Sequence, residues 1–138
     1  MKTFSGGCVC GAIRYEFSGE PIAQFKCHCS DCQHLGGGAF AAVVYVPKDG
    51  LTITGTPKHY ATTSMATMGK HDRSFCGECG SRLFGGESER AIGIQAGTLD
   101  DASWFRPQAE IHMADAQPWD VLDPAVPAFD GYAPNPDA

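Results

Sequence analysis

No apolar run in this sequence is longer than residues 39–46, far below the roughly 20 residues that a membrane-spanning helix needs. No membrane partner is expected on that ground. Basic residues are also scarce: ten Lys and Arg stand against 16 Asp and Glu, a formal charge of −6. A nucleic-acid partner needs a basic face to displace phosphate counterions, and this balance argues against one. The first residues (Met1, Lys2, Thr3, Phe4, Ser5) carry no apolar signal core, so a cytoplasmic location is expected. A sustained helical period, an internal repeat of domain size and an interdomain linker are all missing. What is left is a chain of 138 residues, 43% hydrophobic. That suffices for one domain over residues 1–138 with a packed core.

Cysteine is plentiful. The seven cysteines are Cys8, Cys10, Cys27, Cys29, Cys32, Cys76 and Cys79. An odd number cannot all be used in disulfides within the chain, and the cytosol keeps thiols reduced. The spacing is C-x-C, then C-x-C-x-x-C, then C-x-x-C. Such tight groups suit thiolates converging on a metal ion, whereas buried free thiols would be scattered.

Structural zinc takes four ligands in a closed tetrahedron, and a catalytic zinc keeps three protein ligands and an open position. Seven cysteines divide as four plus three. Cys76-Gly77-Glu78-Cys79-Gly80 has the form of one zinc knuckle, and Cys8-Val9-Cys10-Gly11 has the form of the facing half. A closed site of Cys8, Cys10, Cys76 and Cys79 would tie the start of the chain to its middle. Cys27, Cys29 and Cys32 would then hold a second zinc that faces a substrate. Three readings of this second site stay open: an exchangeable fourth position, closure by His28 or His34, or an empty and labile cluster.

Local patterning predicts a mainly β domain of short strands. Ile13, Tyr15 and Phe17 alternate with Arg14 and Glu16, the period of a half-buried strand. Residues 22–25 form a second strand that delivers the Cys27 loop. Ser30-Asp31-Cys32-Gln33 reads either as a capping box opening a short helix or as a solvated turn. Residues 40–46 read as a buried strand, 51–54 as its return, and 58–63 and 91–96 as further strands. Residues 64–72 read as a polar loop, a candidate flap. A late strand covers 110–113, and 118–138 reads as an extended C-terminal tail with a frayed end.

Taken together, four motifs resemble the glutathione-dependent formaldehyde-activating enzyme family, also called the centromere-protein-V-like family. They are Gly6-Gly7-Cys8-Val9-Cys10-Gly11-Ala12-Ile13-Arg14-Tyr15, Cys27-His28-Cys29-Ser30-Asp31-Cys32-Gln33, Phe75-Cys76-Gly77-Glu78-Cys79-Gly80-Ser81 and Gly97-Thr98-Leu99-Asp100-Asp101, with Pro118-Trp119 near the end. The resemblance implies a β-tent fold with two zinc ions: a structural one on Cys8, Cys10, Cys76 and Cys79, and a substrate-facing one on Cys27, Cys29 and Cys32. It also implies a carbon–sulfur lyase that joins glutathione and formaldehyde as S-hydroxymethylglutathione.

A thiol–aldehyde adduct enzyme is thus the leading expectation, with glutathione or another small thiol and a small aldehyde as partners. Cys27, Cys29 and Cys32 are its expected catalytic residues. One alternative is a non-catalytic zinc module that binds a protein partner or ligand, and another is redox or metal buffering at the Cys27 loop. His34, His71 and His112 are candidates only for a general base, with a surface or packed role as the leading reading of each. Trp104, Phe105 and Trp119 could line a pocket or pack in the core. Arg73, Arg82 and Lys70 could meet a carboxylate or lie on a solvated face.

Overall fold

The computed structural model describes residues 2–64 and 69–134. The fold is mainly β, as the short alternating segments predict, and its strands form two sheets. In the smaller sheet, β1 (Lys2–Gly7) and β5 (Leu51–Thr54) flank β2 (Arg14–Gly19), both antiparallel to it. The larger sheet uses β3 (Ala23–Cys27), β4 (Ala41–Pro47), β6 (Lys58–Ser64), β7 (Gly69–Phe75), β8 (Arg82–Gly85), β9 (Ala91–Gln95) and β10 (Ala109–Ile111). Its order is β10-β3-β4-β9-β8-β7-β6, antiparallel except where β10 runs parallel to β3.

The alternation read in β2 is real: Tyr15 and Phe17 are buried while Arg14 and Glu16 are exposed. With Ile13 they pack against Val44, Val46, Phe84, Ile92 and Ile94 of the larger sheet. Each such side chain contributes about 1.5–3 kcal/mol of burial. Strand β4 is buried on both faces. Val44 and Val46 join that core, while Ala41 and Val43 join a second cluster with Cys27, Cys29, Cys32, Ala109 and Ile111. Two-sided burial explains why residues 40–46 read as an unbroken apolar run.

Three local expectations need correction. Residues 51–54 are a strand, but β5 does not return along β4; it pairs with β2, Tyr15 opposite Ile53. The turn at Lys48–Gly50 carries the chain from one sheet to the other. Residues 69–72 are not loop: they open β7, which pairs with β6 from Lys58↔Phe75 to Ser64↔Gly69. Both faces of this hairpin carry polar groups, so it lacks the apolar alternation that marks a strand. The remaining part of the flap expectation, residues 65–68, lies outside the described residues, as does the frayed end expected at 135–138.

The third correction concerns the helix α1 (Ser30–Gly36). It forms, but its N-cap is Cys29, whose Sγ accepts from the Cys32 N–H at 3.3 Å. Gln33 does not complete a capping box on Ser30. Its Nε2 donates instead to the backbone oxygens of His28 and Asp115, at 2.6 and 2.9 Å. Gly37 ends the helix in the left-handed region, φ 78°, and donates to the Gln33 carbonyl. Residues 127–131 run beside β10. Glu110 N–H donates to Pro127 O at 2.8 Å, and Phe129 N–H donates to Glu110 O at 2.9 Å.

Candidate metal centres

The four sulfurs of Cys8, Cys10, Cys76 and Cys79 lie within 4.8 Å of one another. Two turns of the same design bring them together. The Cys8 N–H donates to Ile13 O and the Cys76 N–H to Ser81 O, at 3.1 and 2.9 Å. Gly11 and Gly80 take the left-handed conformation that each turn needs, φ 82° and 78°. Backbone N–H groups point at sulfur, from Ile13 to Cys8 Sγ at 3.3 Å and from Glu78 to Cys76 Sγ at 3.4 Å. Ser81 joins the two turns: its Oγ accepts from the Val9 N–H at 3.1 Å and lies 3.2 Å from Cys79 Sγ. That hydroxyl, with the Ser81 backbone N–H, lowers the Cys79 thiol to about 5.

This group fits zinc. Its Sγ–Sγ separations of 3.6 Å (Cys8–Cys10) and 3.7 Å (Cys10–Cys76) are far too long for a disulfide, about 2.05 Å. They match the edge of a tetrahedron with zinc–sulfur bonds near 2.3 Å, about 3.8 Å.

Cys27, Cys29 and Cys32 form the second group, again with all sulfurs within 4.8 Å and all three residues buried. Cys27 ends β3, Cys29 caps α1 and Cys32 lies in its first turn. Hydrogen bonds from the Cys27 and Cys29 thiols, then the charges of Arg82 and Arg73, hold Cys32 well below the usual thiol range against the effect of burial. The same thiol contacts push Cys27 up. Among the described residues no fourth cysteine, histidine or carboxylate joins these sulfurs.

Neither nearby histidine closes this group. His28 is fully buried, and its Nε2 sits 2.7 Å from Glu110 Oε1 while Nδ1 lies 3.4 Å from Asp120 Oδ2. His34 is exposed, its Nδ1 on the Ser30 carbonyl at 2.9 Å. His112 is buried in a left-handed turn, against the Tyr132 ring at 4.6 Å. His71 sits on β7 and is half-buried. Trp104 and Phe105 pack on the main core, and Trp119 is 65% exposed. Lys70 is exposed on β7.

Arg73 does reach the second group. Its Nη1 lies 3.9 Å from Cys32 Sγ, its Nη2 lies 3.9 Å from Asp31 Oδ2, and its Nε donates to Thr62 Oγ1 at 3.2 Å. Sequence reasoning missed Glu110 and Asp120, the carboxylates that fix the His28 ring. Glu110 lies in a strand flanked by β3 on one side and residues 127–129 on the other, and it is fully buried. No local pattern carries that signal, because the burial comes from a parallel pairing across most of the chain.

The sequence model described as glutathione-dependent formaldehyde-activating enzyme matches residues 3–115. An uncharacterized lyase of Schizosaccharomyces pombe is 29% identical over 84 residues, 61% of this chain. The matched region spans 58% of that relative's length. A crystal structure of a Rhodobacter sphaeroides protein is similar in fold, with TM-score 0.56 and 17% identity, covering 91% of this chain and 99% of that one. Among the described residues, no helix is long and apolar enough to cross a membrane.

Proposed function

The chain belongs to the glutathione-dependent formaldehyde-activating enzyme family, and from that membership we propose that it is a carbon–sulfur lyase. It forms and breaks the adduct of a small thiol with a small aldehyde, glutathione and formaldehyde being the leading pair. The observation that carries this reading is the buried Cys27, Cys29, Cys32 group, with no fourth ligand from the described chain. A zinc ion held by these three cysteines would have room for a fourth ligand, and a substrate thiol suits that role. Cys8, Cys10, Cys76 and Cys79 hold the structural zinc, and residues 1–138 act as one cytoplasmic β-tent domain with 118–138 as its tail.

A zinc ion held by these three cysteines would lower the pKa of an incoming thiol and stabilise its thiolate. The protein's part is positional. The Cys29 cap and the Gln33 ties to His28 and Asp115 fix the cysteine loop. Glu110 and Asp120 hold the His28 ring on the far side of that loop. Arg73 keeps positive charge beside the sulfurs. In the forward direction a sulfur–carbon bond forms, the carbonyl π bond opens onto oxygen, and that oxygen takes a proton in place of the one the thiol lost. No oxidant or reductant is consumed, so the reaction runs in both directions. Holding thiol and aldehyde together supplies the rate, because the uncatalysed addition is bimolecular.

Exchange-spectroscopy NMR of glutathione with formaldehyde, with and without zinc-loaded protein, tests this reading. Faster adduct exchange is expected, and it should be lost in Cys32→Ser while that variant stays folded. No acceleration with both zinc ions present would remove the proposed activity and favour a non-catalytic binding module.

A further inference from the structure

The face of the larger sheet that carries Cys27 also carries two glycines, Gly85 and Gly93, which are register partners on β8 and β9. The Val43 side chain covers Gly93, and Gly85 leaves a bare patch of sheet beside it. Above it the guanidinium groups of Arg73 and Arg82 converge. A methyl group built on Gly85 would lie 3.6 Å from Arg73 Nη1 and 3.4 Å from Arg82 Nη2. Two like charges directed at one spot repel each other unless an anion sits between them.

The partners of the two arginines differ. Arg73 is engaged by Cys32, Asp31 and Thr62. Arg82 has two buried nitrogens, Nε and Nη1, with no hydrogen-bond partner among the described residues. A guanidinium cannot shed its proton, and its N–H groups need acceptors when water is excluded. Arg82 therefore carries unused donors, and its Nη2 shares the space over Gly85 with Arg73. The acceptor that meets both needs is a carboxylate, for which the arginine fork is shaped.

We propose that Arg73 and Arg82 form a carboxylate subsite over Gly85, so that the substrates of this site are thiols carrying a carboxylate a few bonds from sulfur. The proposal rests on the thiol–aldehyde reading of the cysteine cluster. It adds the recognition element and the substrate class. The spacing sets the reach: Arg73 Nη1 is 3.9 Å from Cys32 Sγ. A carboxylate on Arg73 and a thiol among the three cysteines are then separated by a short aliphatic link. A side chain longer than a methyl at position 85 would enter the space toward which both arginines point.

The test compares 3-mercaptopropionate, 2-mercaptoethanol and cysteamine, which share a short link and differ in charge. Adduct exchange with formaldehyde is measured on zinc-loaded protein, and binding of each thiol is measured by calorimetry without aldehyde. The expected order is carboxylate over neutral over cationic, in both readouts. Charged hydrogen bonds of this kind support a preference of roughly 10–100-fold for 3-mercaptopropionate over 2-mercaptoethanol. In Arg82→Gln that ratio should fall toward one, and Arg82→Lys should restore part of it. Equal handling of the carboxylate and neutral thiols by the wild type would overturn the subsite and leave the thiol–aldehyde reading standing. An equal loss for both thiols in Arg82→Gln would also overturn it, since the arginine would then act only through the cysteines. If no thiol reacts but 3-mercaptopropionate still binds preferentially, the activity fails and the subsite stands. Should Arg82→Gln not fold, the wild-type thiol series decides by itself.

Discussion

Tyr15 shows how burial acts on a single ionisable group. The residue is 1% exposed, and its hydroxyl meets Thr98 Oγ1 at 2.7 Å. Removal from water disfavours the phenolate, and the Tyr15 pKa is pushed up to about 12. In the unfolded chain a tyrosine titrates near 10, so the native state holds this proton more tightly. That contribution to stability is complete below about pH 10 and is lost as pH rises toward about 12. Urea unfolding across this range should show the loss in the wild type. Tyr15→Phe should begin about 1 kcal/mol less stable, for the lost hydrogen bond, and show a shallower alkaline decline. Parallel declines in the two proteins would remove Tyr15 from the alkaline response. At this scale the cysteine groups were legible because short spacing alone brings ligands together. Glu110, Asp120 and the pairing of Arg73 with Arg82 were not, since each depends on neighbours far away in the chain.

At the scale of elements, glycine faces glycine where β8 pairs with β9. A Cβ at Gly93 would come within 2.9 Å of Gly85 O and 2.9 Å of Val43 Cγ1. Backbone cannot move aside there without disturbing the pairing of β9 with both β8 and β4. Gly93→Ala should therefore cost about 1–3 kcal/mol in urea unfolding. Gly97→Ala, with nothing within 4 Å of the added carbon, should stay within about 0.5 kcal/mol. Similar losses in both would mean that strand spacing is not set by Gly93. Strand positions with apolar alternation, such as β2, were readable from sequence. The β6–β7 hairpin was readable only in part, because its two faces serve polar sites instead of a core.

Across the whole molecule, the Cys8, Cys10, Cys76, Cys79 group links the smaller sheet to the β7–β8 turn of the larger one, joining Cys10 to a residue 66 positions away. In the proposed assignment a zinc ion there acts as a crosslink between the sheets. Such sites bind with apparent energies of about 10–16 kcal/mol, larger than the stability of most domains. Cys76→Ser should lose one metal equivalent and at least about 3 kcal/mol of stability, or fail to fold. Cys32→Ser should lose the other equivalent with its melting temperature little changed. Metal analysis with thermal unfolding reads both, and the reverse pattern would exchange the two roles.

The sequence by itself determined the β character and the three tight cysteine groups. These follow from periodicity and spacing over a few residues, where the chain has little freedom. Only the tertiary structure decided that β5 leaves β4 to complete the other sheet, that Glu110 is buried against His28, and that Arg73 and Arg82 meet over Gly85. Those outcomes depend on which distant strands pair. Pairing is settled by burying two apolar faces at once, a condition that no local stretch of sequence expresses.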